Sequence, residues 1–140
     1  MSRRSRAREV ALQSLYQGEL NAIDPLDRER FHKGRLRSME LVAFADAIVD
    51  GVGANREAID AVLDGKSLNW RVSRMAATDR AVLRIAVFEL LHTDTPGPVV
   101  VDEAIELARR YGSQDSPTFV AGILGGILAE RDGRPRPAAG

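Results

Sequence analysis

Four arginines stand among the first eight residues, and no acidic residue accompanies them. They are Arg3, Arg4, Arg6 and Arg8. A guanidinium group binds phosphate oxygens in a fork and stacks on nucleobases, so this cluster suits single-stranded RNA, on which an arginine-rich segment can become ordered. A solubilising disordered tail is the alternative. Because 20 Lys and Arg balance 20 Asp and Glu, any nucleic-acid surface must be local.

A second candidate site surrounds the Ser116-Pro117 pair, which is typical of an N-cap followed by a first-turn proline. Free backbone N–H groups at a helix start bind phosphate, and an aromatic ring one turn further can stack on a base. Asp115, Ser116 and Phe119 therefore form a candidate RNA-binding turn. A place in the core is the alternative for Phe119.

Arg84 is the third candidate, since it interrupts a segment that is otherwise apolar on every side. A buried guanidinium group needs a partner. That partner is either a carboxylate, such as Asp79 or Glu89, or a bound ligand, and for the second case we include Arg84 among the candidate RNA-binding residues. The sequence leaves both open.

The residue sets of common enzymes are missing. The chain has no cysteine, which excludes disulfides, thiolate nucleophiles and cysteine-ligated zinc. His32 and His92 are too far apart in sequence to suggest a metal site, and His92 suits a favourable charge at a helix end. Acid pairs such as Asp102 and Glu103 fall on the polar half of a predicted helix. We expect no cofactor, no metal and no enzymatic activity.

Apolar residues spaced three and four apart predict helices along most of the N-terminal half. The first packed turns begin at Ala11, so residues 1–8 are expected to precede them and to fray. Asp24 followed by Pro25 predicts the start of a short second helix. Residues 37–63 keep helical spacing, with a bend or a close contact expected at Gly51 and Gly53.

The middle of the chain predicts a buried central helix. Asn69 can cap a short helix that contains Trp70, Val72 and Met75, and the next helix starts at Thr78 or Asp79. Residues 80–92 are apolar almost all round, which is typical of a helix in the middle of a fold. Residues 95–98 then stop that helix.

The C-terminal part predicts two more helices. Residues 99–101 are the one strand-like stretch, and three unpaired residues cannot form a sheet. An amphipathic helix is expected from Asp102 to Gly112, and another over 117–130. The last helix has a face of small residues that would let a second backbone approach closely, either within the chain or in a second subunit: Ala121, Gly122, Gly125, Gly126 and Ala129.

These patterns predict an all-α protein with one domain over residues 1–132 and a disordered Pro/Arg tail over 133–140. No apolar run reaches the roughly 18 residues that a membrane span needs. The basic N-terminus is followed by polar residues, so it is not a secretory signal. The sequence therefore indicates a soluble, cytoplasmic protein.

Four segments together resemble the NusB family, in the order and spacing of that family. They are RRSRARE and ALQSLY within residues 3–16, DRAVLRIA and FEL within 79–90, VDEAIELA at 101–108, and DS with FVAGIL within 115–124. Each is an ordinary helix, but the set covers most of residues 3–128. The resemblance implies about seven helices in two packed subdomains.

The resemblance also implies a function in transcription antitermination during ribosomal RNA synthesis. The implied partners are a boxA-type single-stranded RNA, the small-subunit ribosomal protein NusE and the RNA polymerase antitermination complex. By similarity, the N-terminal arginines and the Asp115–Phe119 turn bind RNA. Asp79 matches an acidic position that faces NusE, and Tyr16 matches the aromatic residue of the first helix, which we group with the NusE-binding residues although a structural role also fits.

The chain departs from the family pattern at three places. Ser5 replaces an arginine that some members carry, and Ala121 and Gly125 replace common polar residues. Two alternatives to an antitermination factor remain. One is the NusB-like module of a ribosomal RNA methyltransferase, which would need a catalytic domain beyond Gly140, and the other is a helical adaptor that binds only protein.

Overall fold

Seven α-helices and one short 3₁₀ turn account for all the regular structure in residues 3–21, 24–67 and 71–133, which are the residues that this computed structural model describes. The all-α prediction is therefore confirmed, as is the number of helices. The bounds are α1 Arg3–Leu20, α2 Pro25–Arg35, α3 Met39–Ala54, α4 Arg56–Lys66, α5 Ala77–His92, α6 Gly97–Tyr111 and α7 Ser116–Arg131, with the 3₁₀ turn at Val72–Arg74.

Helix α5 lies in the centre and contacts α1, α3, α4, α6 and α7. Residues 81–90 are all buried, as its apolar pattern predicts. A Cβ atom added at Gly51 would lie 2.1 Å from the Phe88 ring, whereas one added at Gly53 would meet nothing within 4 Å. The close contact expected near these two glycines is thus confirmed at Gly51 alone.

Helix α1 begins at Arg3, so the described residues of the arginine-rich segment are helical and not frayed. Ala7 is fully buried and Arg8 is only 2% exposed. The prediction that residues 1–8 precede the packed turns was therefore wrong for Ala7 and Arg8, whereas residues 3–6 are exposed or half-buried. The arginine-rich spacing shows no apolar face, but Ala7 and Arg8 are covered by α3 and by the end of α5.

Helix α6 begins at Gly97 instead of Asp102, so the three valines form helix and not an extended stretch. Pro96 precedes the helix and Pro98 lies in its first turn, where a missing N–H costs nothing. Val100 is buried. A Cβ atom at Gly97 would lie 2.3 Å from Leu128, so this glycine permits a close approach to α7. Packing thus outweighs the strand preference of valine.

Most other helix ends agree with their sequence signals. Asp24 caps α2 by accepting the N–H of Leu26 at 2.8 Å, with Pro25 in the first turn. Helix α6 ends before Gly112. The break between α3 and α4 falls at Asn55, one turn after Gly51. Helix α5 starts at Ala77, just before the two predicted positions.

Some predicted features fall outside the described residues. These are the cap at Asn69, Trp70 and the tail from residue 134 onward. Only part of the small face of α7 packs closely against other residues. Gly126 and Ala129 are buried, whereas a Cβ atom at Gly122 or Gly125 would meet nothing within 4 Å. Among the described helices, none is long and apolar enough to cross a membrane.

Candidate nucleic-acid interface

The four N-terminal arginines occupy different environments on α1. Arg3 and Arg4 are exposed, and neither forms an ion pair with another described residue. The Arg4 guanidinium lies over the ring of Phe44, with its Cζ atom 4.9 Å from the ring centroid. Both groups keep their charge available to an outside anion.

Arg6 and Arg8 already have carboxylate partners. Arg6 contacts Glu9 at 3.0 Å on the helix surface and keeps 40% of its side chain exposed. Arg8 is buried and donates two hydrogen bonds of 2.8 Å to Glu89, whose side chain is 2% exposed. A second carboxylate, that of Glu103, lies 3.9 Å from the Arg8 guanidinium. Arg8 therefore neutralises a buried acid of the central helix.

A cavity opens beside these arginines, between the start of α1, α3 and the loop that joins α5 to α6. Arg4, Arg8 and Phe44 line one side, and residues 93–96 with Glu103 line the other. The carboxylates of Asp94 and Glu103 offset part of the positive charge here. An anion that enters this cavity would therefore meet the exposed Arg4 before the buried Arg8.

The predicted RNA-binding turn lies at the start of α7. Ser116 is buried, and its hydroxyl accepts the backbone N–H of Ser113 at 2.9 Å. The Ser116 side chain thus ties the preceding turn together instead of capping the N–H groups of α7, and the predicted cap was wrong. Asp115 is exposed at the cap position, and Phe119 is half-buried.

Asp79 lines the same cavity as this turn. The cavity holds about 270 Å³ and is bounded by α5, α7 and the segment before α5, including Arg74. Asp79 lies in the first turn of α5, where a carboxylate also favours the helix dipole. Its Oδ1 atom is buried without a hydrogen-bond partner. The structure therefore places the residue predicted to face NusE beside three residues predicted to face RNA.

Arg84 does not line that cavity and is held by two carboxylates. It donates two hydrogen bonds of 2.9 Å to Asp60 and one of 3.0 Å to Glu19. The ion-pair alternative therefore describes this residue, although the suggested partners, Asp79 and Glu89, were wrong. Both true partners come from other helices, which sequence spacing cannot reveal.

Glu19 is shared between Arg84 and Arg80. Burial raises the pKa of Glu19, but hydrogen bonding and charge from Arg80, together with the charge of Arg84, outweigh it and hold the pKa below its ordinary value. The Glu19 hydrogen bond in turn raises the pKa of Arg80. This network joins α1, α4 and α5 and serves the fold.

Tyr16 lines a groove between α1, α2, α5 and α6, and it is 40% exposed. Tyr111 stands across the groove and donates a short hydrogen bond to Glu9. Burial raises the pKa of Tyr111 to about 12, with help from the Glu9 carboxylate. Thr78, the neighbour of Asp79, closes one end of the groove.

Two arrangements were not foreseen. The guanidinium groups of Arg4 and Arg8 lie over the ring of Phe44. The only sequence signal for this contact is that Phe44 is aromatic. His32 is fully buried between Ser14 and Asp46, with both hydrogen bonds at 2.6 Å. That chain of hydrogen bonds joins α1, α2 and α3. No group of three metal-binding side chains occurs among the described residues.

The predicted site residues therefore do not form one cavity. The arginines lie near Glu89 at the end of α5, and the Ser116 turn lies near Asp79 at its start, so ten residues of helix, about 15 Å, separate them. Any single ligand that contacts both must extend along the molecule.

Comparison with known proteins gives consistent results. Residues 5–129 match the NusB family. The transcription antitermination protein NusB of Anaeromyxobacter dehalogenans strain 2CP-1 is 50% identical over 125 residues, which cover 88% of both chains. That of Geotalea uraniireducens is 44% identical over 139 residues, covering 92% of this chain and 96% of the relative.

Solved structures show the same likeness. T. maritima NusB superposes with a TM-score of 0.80 at 34% identity, over 93% of this chain and 92% of the other. A crystal structure of the antitermination factors NusB and NusE in complex with dsRNA gives a TM-score of 0.79 at 25% identity, over 93% and 98% of the two chains.

Proposed function

Because the chain belongs to the NusB family, we propose that it is a transcription antitermination factor which binds a boxA-type RNA together with NusE. The observation that carries this proposal is the pair of exposed arginines at the start of a folded helix. Arg3 and Arg4 have no carboxylate partner among the described residues, so their charge is available to phosphates. The related structure with NusE and dsRNA supports both partners.

We assign the N-terminal arginines unequal roles. Arg3 and Arg4 contact RNA directly, Arg6 contributes through its exposed half, and Arg8 positions the helix by holding Glu89. Asp115 and Phe119 form a second RNA contact at the cavity below α7, while Ser116 shapes that turn. Asp79 faces NusE from the same cavity, and Tyr16 does so from the adjoining groove.

A binding function without catalysis fits the chemistry of these surfaces. The two buried arginines of α1 and α5 are committed to structural ion pairs, Arg8 with Glu89 and Arg84 with Asp60. A protein-only adaptor is the second candidate, since the cavity at Asp79 suits a basic protein as well as RNA.

The proposal is tested by titrating a labelled boxA-type RNA with the full chain, with and without NusE, at several salt concentrations. We expect affinity for the boxA-type RNA to exceed that for a scrambled RNA, to fall with salt, and to rise when NusE is present. Equal affinity for the two RNAs would contradict the proposal. Binding to NusE without any RNA binding would establish the protein-only adaptor.

A further inference from the structure

The groove between Tyr16 and Tyr111 is lined by groups that suit a flat, hydrogen-bonding ring. Its volume is about 410 Å³. Tyr16 and Tyr111 expose 40% and 36% of their surface. Phe31 also lines it, with the guanidinium of Arg35 lying 5.0 Å from the Phe31 ring centroid. Aromatic rings and guanidinium planes are the surfaces on which single-stranded bases stack.

One residue that lines the groove, Gln13, has a hydrogen-bond acceptor without a partner. The Gln13 amide nitrogen donates to the Tyr111 hydroxyl at 3.5 Å, while its Oε1 atom is buried without a partner. The Tyr111 hydroxyl itself donates to Glu9. A ligand that brings an N–H group would satisfy Gln13, and exocyclic amino groups of nucleobases are such donors.

The groove lies between the two surfaces already assigned to RNA. At the start of α1, the Ser5 hydroxyl donates to Glu103, which lines the cavity beside Arg4 and Arg8. Gln13 lies two turns further, about 12 Å from Ser5 along the same helix. At its other end, Thr78 adjoins Asp79, which lines the cavity of the Ser116 turn. A strand that reaches from the basic end to Phe119 would pass this groove.

We propose that the Tyr111 side of this groove binds an unstacked base of the single-stranded RNA, beside the Tyr16 side that is assigned to NusE. This inference rests on the proposed function, and it adds a contact that bridges the two predicted RNA surfaces. Tyr111 stacks on the base, Gln13 accepts its amino group, and Arg35 at the rim meets the adjacent phosphate.

The first experiment compares the wild-type chain with Tyr111→Ala and Tyr111→Phe in the boxA-type RNA titration. Tyr111→Ala removes the ring and should weaken RNA binding about tenfold or more. Tyr111→Phe is the matched control, because it loses only the hydroxyl and should stay within about threefold of wild type. Arg35→Ala should flatten the salt dependence by about 0.7 units of slope.

A second experiment needs no variant. The same unmodified RNA is crosslinked to the wild-type chain by short-wavelength ultraviolet light, and the attachment sites on the RNA and on the protein are mapped by mass spectrometry. We expect one RNA position to crosslink to Tyr111. This measurement decides the question even if Tyr111→Ala destabilises the fold.

Each outcome discriminates. If the RNA binds with unchanged affinity to Tyr111→Ala and crosslinks only outside the groove, the inference is overturned while the proposed function stands. If Tyr111→Ala weakens NusE binding and leaves RNA affinity unchanged, the groove is a protein surface and the inference is equally overturned. If the wild-type chain binds no RNA, the proposed function fails first.

Discussion

At the scale of single residues, four arginines that look equivalent in sequence have different functions. Arg3 and Arg4 are exposed and have no carboxylate partner among the described residues, whereas Arg8 is bound to a buried glutamate 81 positions away. The sequence predicted a basic N-terminal cluster correctly. It could not predict which guanidinium was already neutralised, because Glu89 lies on a separate helix and no spacing rule relates the two.

This difference predicts opposite results for two sets of variants. Arg3→Ala with Arg4→Ala should leave the urea unfolding curve unchanged and flatten the salt dependence of RNA binding by about 1.4 units of slope, or 0.7 per lost contact. Arg8→Ala should cost about 3–5 kcal/mol of stability, because Glu89 stays buried without its partner.

A double variant provides the control for Arg8. Arg8→Met with Glu89→Leu removes both charges, so it should be less destabilised than Arg8→Ala alone. An Arg8→Ala chain as stable as wild type would contradict the structural role given to this pair.

The Glu19 network predicts how stability depends on pH. Since the pKa of Glu19 lies below 4.5 in the folded chain, the unfolded chain takes up its proton first as the pH falls. The contribution of Glu19 is therefore complete well above pH 4.5 and is lost as the pH falls through the lowered folded pKa. Glu19→Gln should be less stable than wild type at neutral pH and should lose less stability on acidification.

Urea unfolding at a series of pH values measures this difference. Glu29→Gln is a suitable comparison, because the pKa of Glu29 is also lowered, by Lys33, but the group is fully exposed. Parallel curves for wild type and Glu19→Gln would show that Glu19 has no part in acid sensitivity.

At the scale of helices, apolar periodicity predicted the central helix and most boundaries well. The errors fall at the starts of α1 and α6, where a run of arginines and a run of valines gave misleading local signals. In both cases contacts with other helices determine where the helix begins. Ala7 is buried in the core, and Gly97 allows the start of α6 to pack closely against α7. Local sequence does not contain those contacts.

The crossing of α3 and α5 gives a prediction with a built-in control. Gly51→Ala places a methyl group against the Phe88 ring, so it should destabilise the protein by about 1–3 kcal/mol. Gly53→Ala, half a turn away, meets open space and should stabilise it by up to about 1 kcal/mol through helix propensity. Urea unfolding of both variants checks the signs, and equal effects would contradict the described crossing.

At the scale of the whole molecule, the candidate binding residues are arranged along α5 and not gathered in one pocket. No sequence pattern indicates that Asp79 shares a cavity with Asp115 and Phe119, because the two segments lie 36 positions apart. Their proximity suggests that RNA and NusE binding are coupled, since a ligand on either side changes the surroundings of the same unpaired carboxylate.

The fourth prediction concerns that carboxylate. Asp79→Asn keeps the shape of the side chain and removes its charge, so it should weaken NusE binding while the unfolding curve changes little. Asp79→Arg should weaken it further, by several kcal/mol in total, through repulsion by a basic partner surface. Asp27→Arg is the matched control, an exposed acid in the first turn of α2. If NusE affinity is unchanged in both Asp79 variants, Asp79 serves only the helix dipole.

The partners of α1 also determine when the basic end of the molecule becomes complete during synthesis. Arg8 must wait for Glu89, and Glu9 must wait for Tyr111, which is added 102 residues later. At roughly 5–20 residues per second, a ribosome needs about 5–20 s to make that interval. Arg8 is thus among the first residues made but is held only after Glu89 has been added, so a growing chain acquires its ordered cationic end only after α5 and the end of α6 have been synthesised.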